Sequence, residues 1–194
     1  MLSQLQLPKI SAPKGLLLEE AITLRRSKRS GYRPKLSLVE LSWLLFAGQG
    51  ITADKKRAVA SAAMIYPLEL YVLAKNVDKL KSGLYRYLPE SHSIETLKEA
   101  DFTSALEKAC GKYAFVRDAP VSIIIAADFS KITARFGERG NMYIQMEAGS
   151  AYQNISLEAV NLGLGTVVVG AFDAKSLKES LGIAEEPLCI LPVG

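Results

Sequence analysis

The sequence has few residues that serve as metal ligands or nucleophiles, with one histidine and two cysteines among 194 residues. Cys110 and Cys189 are far apart and belong to no CxxC pair, which suits a reducing compartment. His92 lies in a polar stretch and is interpreted as a surface loop residue. One histidine and two unpaired cysteines are too few to favour a transition-metal site or a Cys–His nucleophile pair. Any chemistry must then be carried by a bound cofactor.

Long apolar runs are also lacking, since no run approaches the roughly 20 residues that cross a bilayer. Residues 1–13 contain no apolar core of a secretion signal, so we expect a cytoplasmic protein with no membrane partner. The net charge of +4 is modest, and acidic residues are interleaved with basic ones. This pattern argues against a nucleic-acid partner but allows an anionic small ligand. The length fits a single domain over residues 1–194.

Apolar periodicity predicts helices and strands without strict βαβ alternation, which indicates the α+β class. Helices are predicted at 16–29, 37–48, 102–112, 141–162 and 174–181. Strands are predicted at 68–73, 83–87, 121–127, 166–169 and 187–193, and residues 49–63 are assigned mostly to loop. The segment 141–162 carries small residues at 148–151. We therefore expect a long central helix that packs closely against a neighbour, for which a second copy is one candidate.

The most informative motif is Arg-Arg-Ser-Lys-Arg at 25–29, which closes the first predicted helix. Guanidinium groups form planar, charge-assisted hydrogen bonds with phosphate, and the Ser27 hydroxyl adds a further donor. On a helix, Arg25 and Arg29 would be four residues apart and could point the same way. The alternative is a solvated basic helix end, which the helix dipole favours without any ligand.

Two further segments could accept a flat ligand. In 57–67, small side chains would let the backbone approach a ligand, and Ser61 could cap or donate; an alanine-rich helix start is the alternative. In 163–173, a buried strand ending at Gly170 and Ala171 would leave backbone N–H groups uncovered; an ordinary turn is the alternative. Gly163-x-Gly165 lacks a third glycine and precedes a strand, which argues against a Rossmann dinucleotide site.

In order and spacing, these segments resemble the FMN-dependent nitroreductase family, and most closely its SagB-type dehydrogenase branch. The resemblance extends over nearly the whole chain and ends in PLCILPVG. Its matching segments are RRSKR at 25–29, LSLVELSWLLFAGQGIT at 36–52, RAVASAAMIYPLELYVL at 57–73, RFGERGNMYIQMEAGSAYQN at 135–154 and LGLGTVVVGAFD at 162–173.

The resemblance implies a mixed central sheet flanked by helices, in a homodimer with the long helix and two FMN molecules at the interface. By position, Arg25, Ser27 and Arg29 would hold the FMN phosphate, with Arg26 beside them. The family loop that reaches the flavin, usually from the partner subunit, corresponds to Ala60, Ser61, Ala62 and Met64. Gly170 and Ala171 would place backbone N–H groups near flavin N5, and Arg57 would face the N1–O2 edge. Asp173 is expected to cap the following helix instead of touching the ligand.

The sequence departs from the family pattern in three places. The flavin loop commonly reads Pro-Ser-Ala-Gly, whereas this chain has Ala60 and Ala63 at the outer positions. Ser150 stands where many members have histidine, and relatives often continue beyond the position of Gly194 with basic residues. These departures predict a differently shaped loop and weaker FMN binding.

The implied activity is transfer of hydride from NAD(P)H and reduction of nitroaromatic, quinone or similar flat acceptors by a ping-pong mechanism. A SagB-type dehydrogenase that oxidises azolines, peptides or small metabolites is one alternative. A flavin-binding carrier or sensor with little turnover is a second, and a basic protein that binds nucleic acid through 25–29 and 55–57 is a third. The sequence contains no motif that specifies the substrate or distinguishes NADH from NADPH.

Overall fold

The computed structural model describes residues 3–11 and 15–194. Its strands are β1 (Gln4–Gln6), β2 (Ile51–Ala53), β3 (Lys56–Arg57), β4 (Leu68–Ala74), β5 (Gly83–Leu88), β6 (Ser93–Lys98), β7 (Val121–Ala127) and β8 (Glu186–Val193). Its helices are α1 (Leu18–Leu24), α2 (Leu38–Gln49), α3 (Thr103–Cys110), α4 (Phe129–Phe136), α5 (Arg139–Asn161) and α6 (Ala174–Leu181). Six strands form one sheet in the order β1-β6-β5-β4-β7-β8, and β2 with β3 forms a separate hairpin.

Strand β7 lies between β4 and β8 in the sheet, and all of its residues are buried. It pairs antiparallel with β4 on one side and with β8 on the other. Because side chains alternate along a strand, Ile123 and Ile125 enter one core while Ile124 and Ala126 enter the other. The first core includes α2 and α5, and the second includes α3 and α6. The predicted α+β class and the doubly covered strand are therefore confirmed.

All neighbouring strands of the large sheet run antiparallel. In the described residues, the parallel component of the expected mixed sheet is confined to isolated bridges, which join Ser27 to Thr166 and Leu36 to Val77. The first bridge attaches the chain after α1 to the segment that precedes α6. It therefore helps to shape the candidate site.

The long central helix is confirmed as α5, and its apolar residues at helical spacing are buried, among them Ile144, Ala151 and Ile155. It packs against α2, where a Cβ atom on Gly48 would lie only 2.9 Å from the side chain of Ile155. A larger residue at position 48 would force the end of the Ile155 side chain to shift. Gly163, at a φ of 69°, follows the end of the helix. Across residues 3–11 and 15–194, no helix is both long and apolar enough to cross a membrane.

Two predicted elements differ in the structure. The first helix ends at Leu24 instead of Arg29, because the chain that follows is extended and bonds to Thr166. The predicted strand 166–169 is instead two isolated antiparallel bridges, which join Thr166 to Val193 and Val169 to Ile190. Strands β1, β2, β3 and β6 and helix α4 were not predicted. Strand β6 reads SIETLK and is too polar to stand out from a loop.

The interpretation of His92 as a surface loop residue is correct for its position in a turn but misses its contacts. The residue occupies the turn between β5 and β6, but its ring is half-buried. Its Nδ1 lies 2.8 Å from the Tyr87 hydroxyl, and its Nε2 lies 2.8 Å from the Ser42 hydroxyl. The polar sequence around it concealed this packing because two of its partners, the Ser42 hydroxyl and the Pro8 carbonyl, lie far away in the chain.

Candidate functional site

The segment 25–29 is extended, and this conformation brings its anion donors together. Ser27 forms a parallel bridge with Thr166, and the Lys28 N–H donates to the Thr166 carbonyl at 3.0 Å. In an extended chain, alternate side chains point to the same side. Arg25, Ser27 and Arg29 therefore share one face. The helical spacing that the sequence predicted for the two arginines is wrong, but the predicted convergence is correct for a different reason.

These three side chains line a cavity of about 310 Å³. Its other lining residues are Tyr152, Gln153 and Ser156 of α5, together with Thr166, Val167 and Val168. None of these described lining residues is acidic. Thr166 is buried, and its hydroxyl is already used, donating to the Pro192 carbonyl at 2.8 Å. Two guanidiniums and a serine hydroxyl thus face an open polar cavity, which is the donor set that a phosphate dianion requires.

Arg26 does not line this cavity. Its guanidinium Nη1 donates to the carbonyls of Thr23 and Arg25, at 2.8 Å in each case. The side chain therefore stabilises the end of α1 and the turn into the extended segment. The structure separates Arg26 from the three residues with which the sequence had grouped it.

The loop that contains Ala60, Ser61, Ala62 and Met64 lies elsewhere on the chain and contributes nothing to the described lining of the cavity. Its backbone is strained, because Ala63, Met64 and Tyr66 have φ values of 51°, 56° and 52°. Ser61 stabilises this shape, since its hydroxyl accepts the Tyr66 N–H at 2.9 Å. Met64 remains 63% exposed. Strained, exposed loops of this kind are concentrated at binding sites.

Gly170 and Ala171 lie just beyond the cavity wall, two and three residues after Val168. The preceding residue, Val169, exchanges two backbone hydrogen bonds with Ile190, at 2.8 and 3.0 Å. Both Gly170 and Ala171 are exposed, and a Cβ atom built on Gly170 would meet no atom within 4 Å. This part of the chain is therefore open to the approach of a flat group.

Asp173 caps α6, as the sequence analysis expected. Its carboxylate accepts the Ser176 N–H at 2.9 Å. The residue thus ends the open stretch at 170–172 and starts the next helix.

Glu147 on α5 is a candidate functional residue that the sequence analysis missed. Its side chain is only 3% exposed, and neither carboxyl oxygen has a hydrogen-bond partner among the described residues. The Nε2 atom of Gln49, also buried, is likewise unpartnered. The apolar spacing of the sequence could have identified Glu147 as buried. Position 147 follows Ile144 by three residues and precedes Ala151 by four. It therefore belongs to the buried face of the predicted helix.

Burial raises the pKa of Glu147 to about 6, and the neighbouring Ser61, Gln49 and Arg57 oppose that shift. Ser61 and Gln49 lie near the carboxyl but form no well-aligned hydrogen bond with it. Arg57 donates instead to the Gln49 side-chain oxygen at 2.9 Å and to Glu90 at 3.1 Å. A buried acid thus lies beside an arginine that is engaged with other partners.

Comparison with known proteins matches residues 22–194 to the Nitroreductase family. A relative named putative nitroreductase, from Methanocaldococcus jannaschii, is 42% identical over 192 residues, which cover 98% of this chain and 96% of that protein. A crystal structure of a putative nitroreductase from Ralstonia eutropha superimposes with a TM-score of 0.85 at 26% identity, covering 98% of this chain and 88% of that one. Another from Desulfovibrio desulfuricans, solved in complex with FMN, gives a TM-score of 0.66 at 21% identity, covering 91% and 84% of the two chains.

Proposed function

The chain belongs to the nitroreductase family, and from this premise we propose that it is an FMN-dependent oxidoreductase. When bound, FMN would supply the redox chemistry, taking hydride from NAD(P)H and passing electrons to nitroaromatic, quinone or similar flat acceptors by a ping-pong mechanism. The protein would bind and orient the cofactor and the two substrates. The observation that carries the proposal is the convergence of Arg25, Ser27 and Arg29 on one polar cavity.

In this proposal the cavity holds the FMN phosphate. The two guanidiniums provide charge-assisted hydrogen bonds, and the Ser27 hydroxyl lies between them in sequence. The absence of a carboxylate from the described lining means that no negative charge opposes the phosphate. Tyr152 and Gln153 of α5 and Val168 form the wall along which the remainder of the cofactor would extend. Gly170 and Ala171 follow this wall and would present backbone N–H groups to the flavin.

The proposed protein is a homodimer, because the flavin loop does not line the cavity of its own chain. A second subunit would bring Ala60, Ser61, Ala62 and Met64 to the cofactor. Large apolar side chains are exposed on α1 and α5, with Ile22 at 55%, Met142 at 43% and Met146 at 62%. Exposed apolar groups on neighbouring helices favour a protein interface over contact with water. The long helix would then pack against its counterpart.

The decisive test is the absorption spectrum of the purified protein, followed by anaerobic titration with NADH and NADPH. We expect a yellow protein that bleaches with at least one nicotinamide. Initial rates measured with a quinone acceptor should give parallel double-reciprocal lines. A colourless protein that takes up no added FMN would contradict the proposal, and obligatory ternary-complex kinetics would contradict the ping-pong mechanism. A yellow protein that neither nicotinamide reduces would instead identify a flavin carrier or sensor.

A further inference from the structure

We propose that Arg57 is a positioning residue, whose guanidinium holds the loop between β3 and β4, residues 58–67, against α2 and against the turn after β5. This inference rests on the proposed function, because that loop contains the residues expected to reach the flavin. The role differs from the one implied by the family resemblance, in which Arg57 would face the N1–O2 edge of the ring.

Arg57 and Tyr66 join the two ends of the loop. The Arg57 N–H donates to the Tyr66 hydroxyl at 3.3 Å, and the guanidinium lies 4.7 Å from the centre of the Tyr66 ring. At this distance the face of an aromatic ring attracts a cation. The Tyr66 N–H donates in turn to the Ser61 hydroxyl at 2.9 Å. Arg57 is therefore connected, through Tyr66, to the middle of the loop.

The guanidinium of Arg57 also joins the loop to two other elements. Its Nη1 donates at 2.9 Å to the side-chain oxygen of Gln49, the last residue of α2. Its Nη2 donates at 3.1 Å to the carboxylate of Glu90, in the turn after β5. The Arg57 side chain is 13% exposed and Gln49 is buried, so the first bond is shielded from water. The Glu90 side chain is 72% exposed, so the second bond contributes little.

Other contacts in the middle of the loop fix its shape more than its orientation. The Met64 N–H donates to the Ser61 carbonyl at 3.1 Å, and the Ile65 N–H donates to the Ala62 carbonyl at 3.2 Å. Both of these bonds lie within the loop. Ala62 and Ile65 also pack against the core, but apolar contact has no preferred direction. The directional contacts of Arg57 are therefore the ones suited to orient the loop.

This role requires arginine, because the contacts of the side chain lie in different directions. A guanidinium is planar and donates through separate nitrogens, while its face stacks on an aromatic ring. A lysine at position 57 would keep the positive charge but would lose the planar fork. Two variants therefore separate charge from position, since Arg57→Lys keeps the charge and Arg57→Gln does not.

The test measures amide exchange by NMR on the full chain, with and without added FMN. In Arg57→Lys, Arg57→Gln and Gln49→Leu, the protection of the Tyr66 amide should fall about tenfold, which corresponds to one charge-assisted hydrogen bond. Gln49→Leu removes the acceptor on α2, so it decides the outcome if a variant at position 57 does not fold. Combining Gln49→Leu with Arg57→Lys should cost no more protection than the larger single loss, because both remove the same bond.

Arg86→Lys is the matched control, because Arg86 of β5 also donates to a carboxylate, that of Glu95, at 2.7 Å. This pair lies on two strands of the sheet and has no part in the contacts of Arg57. Arg86→Lys should therefore leave the protection of the Tyr66 amide unchanged.

FMN binding distinguishes a positioning role from a direct effect of charge on the flavin. Arg57→Lys and Arg57→Gln should both bind FMN about tenfold more weakly, because a loosely held loop loses more conformational freedom on binding. The bound FMN should have the same reduction potential in both variants. If Arg57→Lys kept the natural affinity and potential while Arg57→Gln lost them, the arginine would act by its charge, and the inference would be overturned.

Two further results would also overturn the inference. The first is Tyr66 protection that stays at the natural level in Arg57→Lys or in Gln49→Leu. The second is a loss of protection with unchanged FMN affinity, which would give Arg57 a structural role alone. Failure of the natural protein to bind FMN would contradict the proposed function instead, because exchange is also measured without FMN.

Discussion

Ser27 and Thr166 form an isolated parallel bridge between the chain after α1 and the chain before α6. This contact pairs the extended segment 25–29 with the chain at Thr166 and helps to fix which side chains share a face. Arg25 and Arg29 reach the cavity because they are an even number of residues away from Ser27. The proposed phosphate site is thus built by extended-chain geometry, whereas the sequence had suggested a helix.

Arginine substitutions test this geometry. Arg25→Ala and Arg29→Ala should each weaken FMN binding by roughly tenfold to a hundredfold, because each removes one charge-assisted contact. Arg26→Ala makes the same change in charge one residue away, but its guanidinium bonds to carbonyls of its own chain. It should therefore have a much smaller effect on FMN binding. Isothermal titration of the apoprotein with FMN measures the affinity of all three variants. Equal losses of affinity would show that only the net charge of the segment matters.

Asp173 provides a complementary prediction, because it lies near Gly170 and Ala171 but serves α6. Asp173→Ala should lower the free energy of unfolding by about 1 kcal/mol through loss of the cap on the Ser176 N–H. FMN affinity should stay within about twofold of the natural value, which corresponds to less than half a kcal/mol. Urea unfolding and FMN titration measure the two effects. A large loss of affinity with unchanged stability would make Asp173 a ligand contact instead of a cap.

The sequence predicts the elements whose pattern is local. Strand β7 is an apolar run interrupted only by Ser122, and α5 repeats apolar residues at helical spacing. Ser37 with Glu40 predicts the start of α2, where the structure has the reciprocal capping box. It does not predict what depends on distant partners. The end of α1 is set by Thr166, and the environment of His92 depends on Ser42 and on the Pro8 carbonyl.

The same distinction applies to the candidate site. The chemistry of Arg25, Ser27 and Arg29 is readable from the sequence, because phosphate needs those donors wherever they lie. Their common direction is not readable, since it follows from a pairing across 139 residues, between positions 27 and 166. Glu147 was missed because a single acid in an apolar helix face carries no motif, and only its burial beside Arg57 marks it.

Dimer formation is tested at Met146, which is 62% exposed on α5. Met146→Glu would place a charge in the proposed interface, so we expect a monomer that binds FMN poorly. Ser180→Glu adds the same charge at an exposed position of α6 and should leave a dimer. Sedimentation velocity and FMN titration distinguish the two variants. If the natural protein sediments as a monomer that retains FMN, the proposed sharing of the site between subunits is wrong.

Glu147 makes stability depend on pH with a definite sign. Its pKa in the folded state is about 6, above the ordinary value of 4.5, so folding favours the protonated form. The stabilisation from this group is complete below pH 4.5 and is lost as the pH rises through 6. Glu147→Gln stays neutral and should become more stable than the natural protein above pH 6, by up to about 2 kcal/mol.

Thermal unfolding of both proteins from pH 4.5 to pH 8 measures this difference. The contribution of His92 has the opposite sign, because its pKa is lowered, but it is common to both proteins and cancels in the difference. The variant should therefore gain global stability above pH 6. A difference in stability that stays constant across this range would show that Glu147 has the same ionisation in the folded and unfolded chains. The unpartnered carboxyl would then owe its location to packing alone.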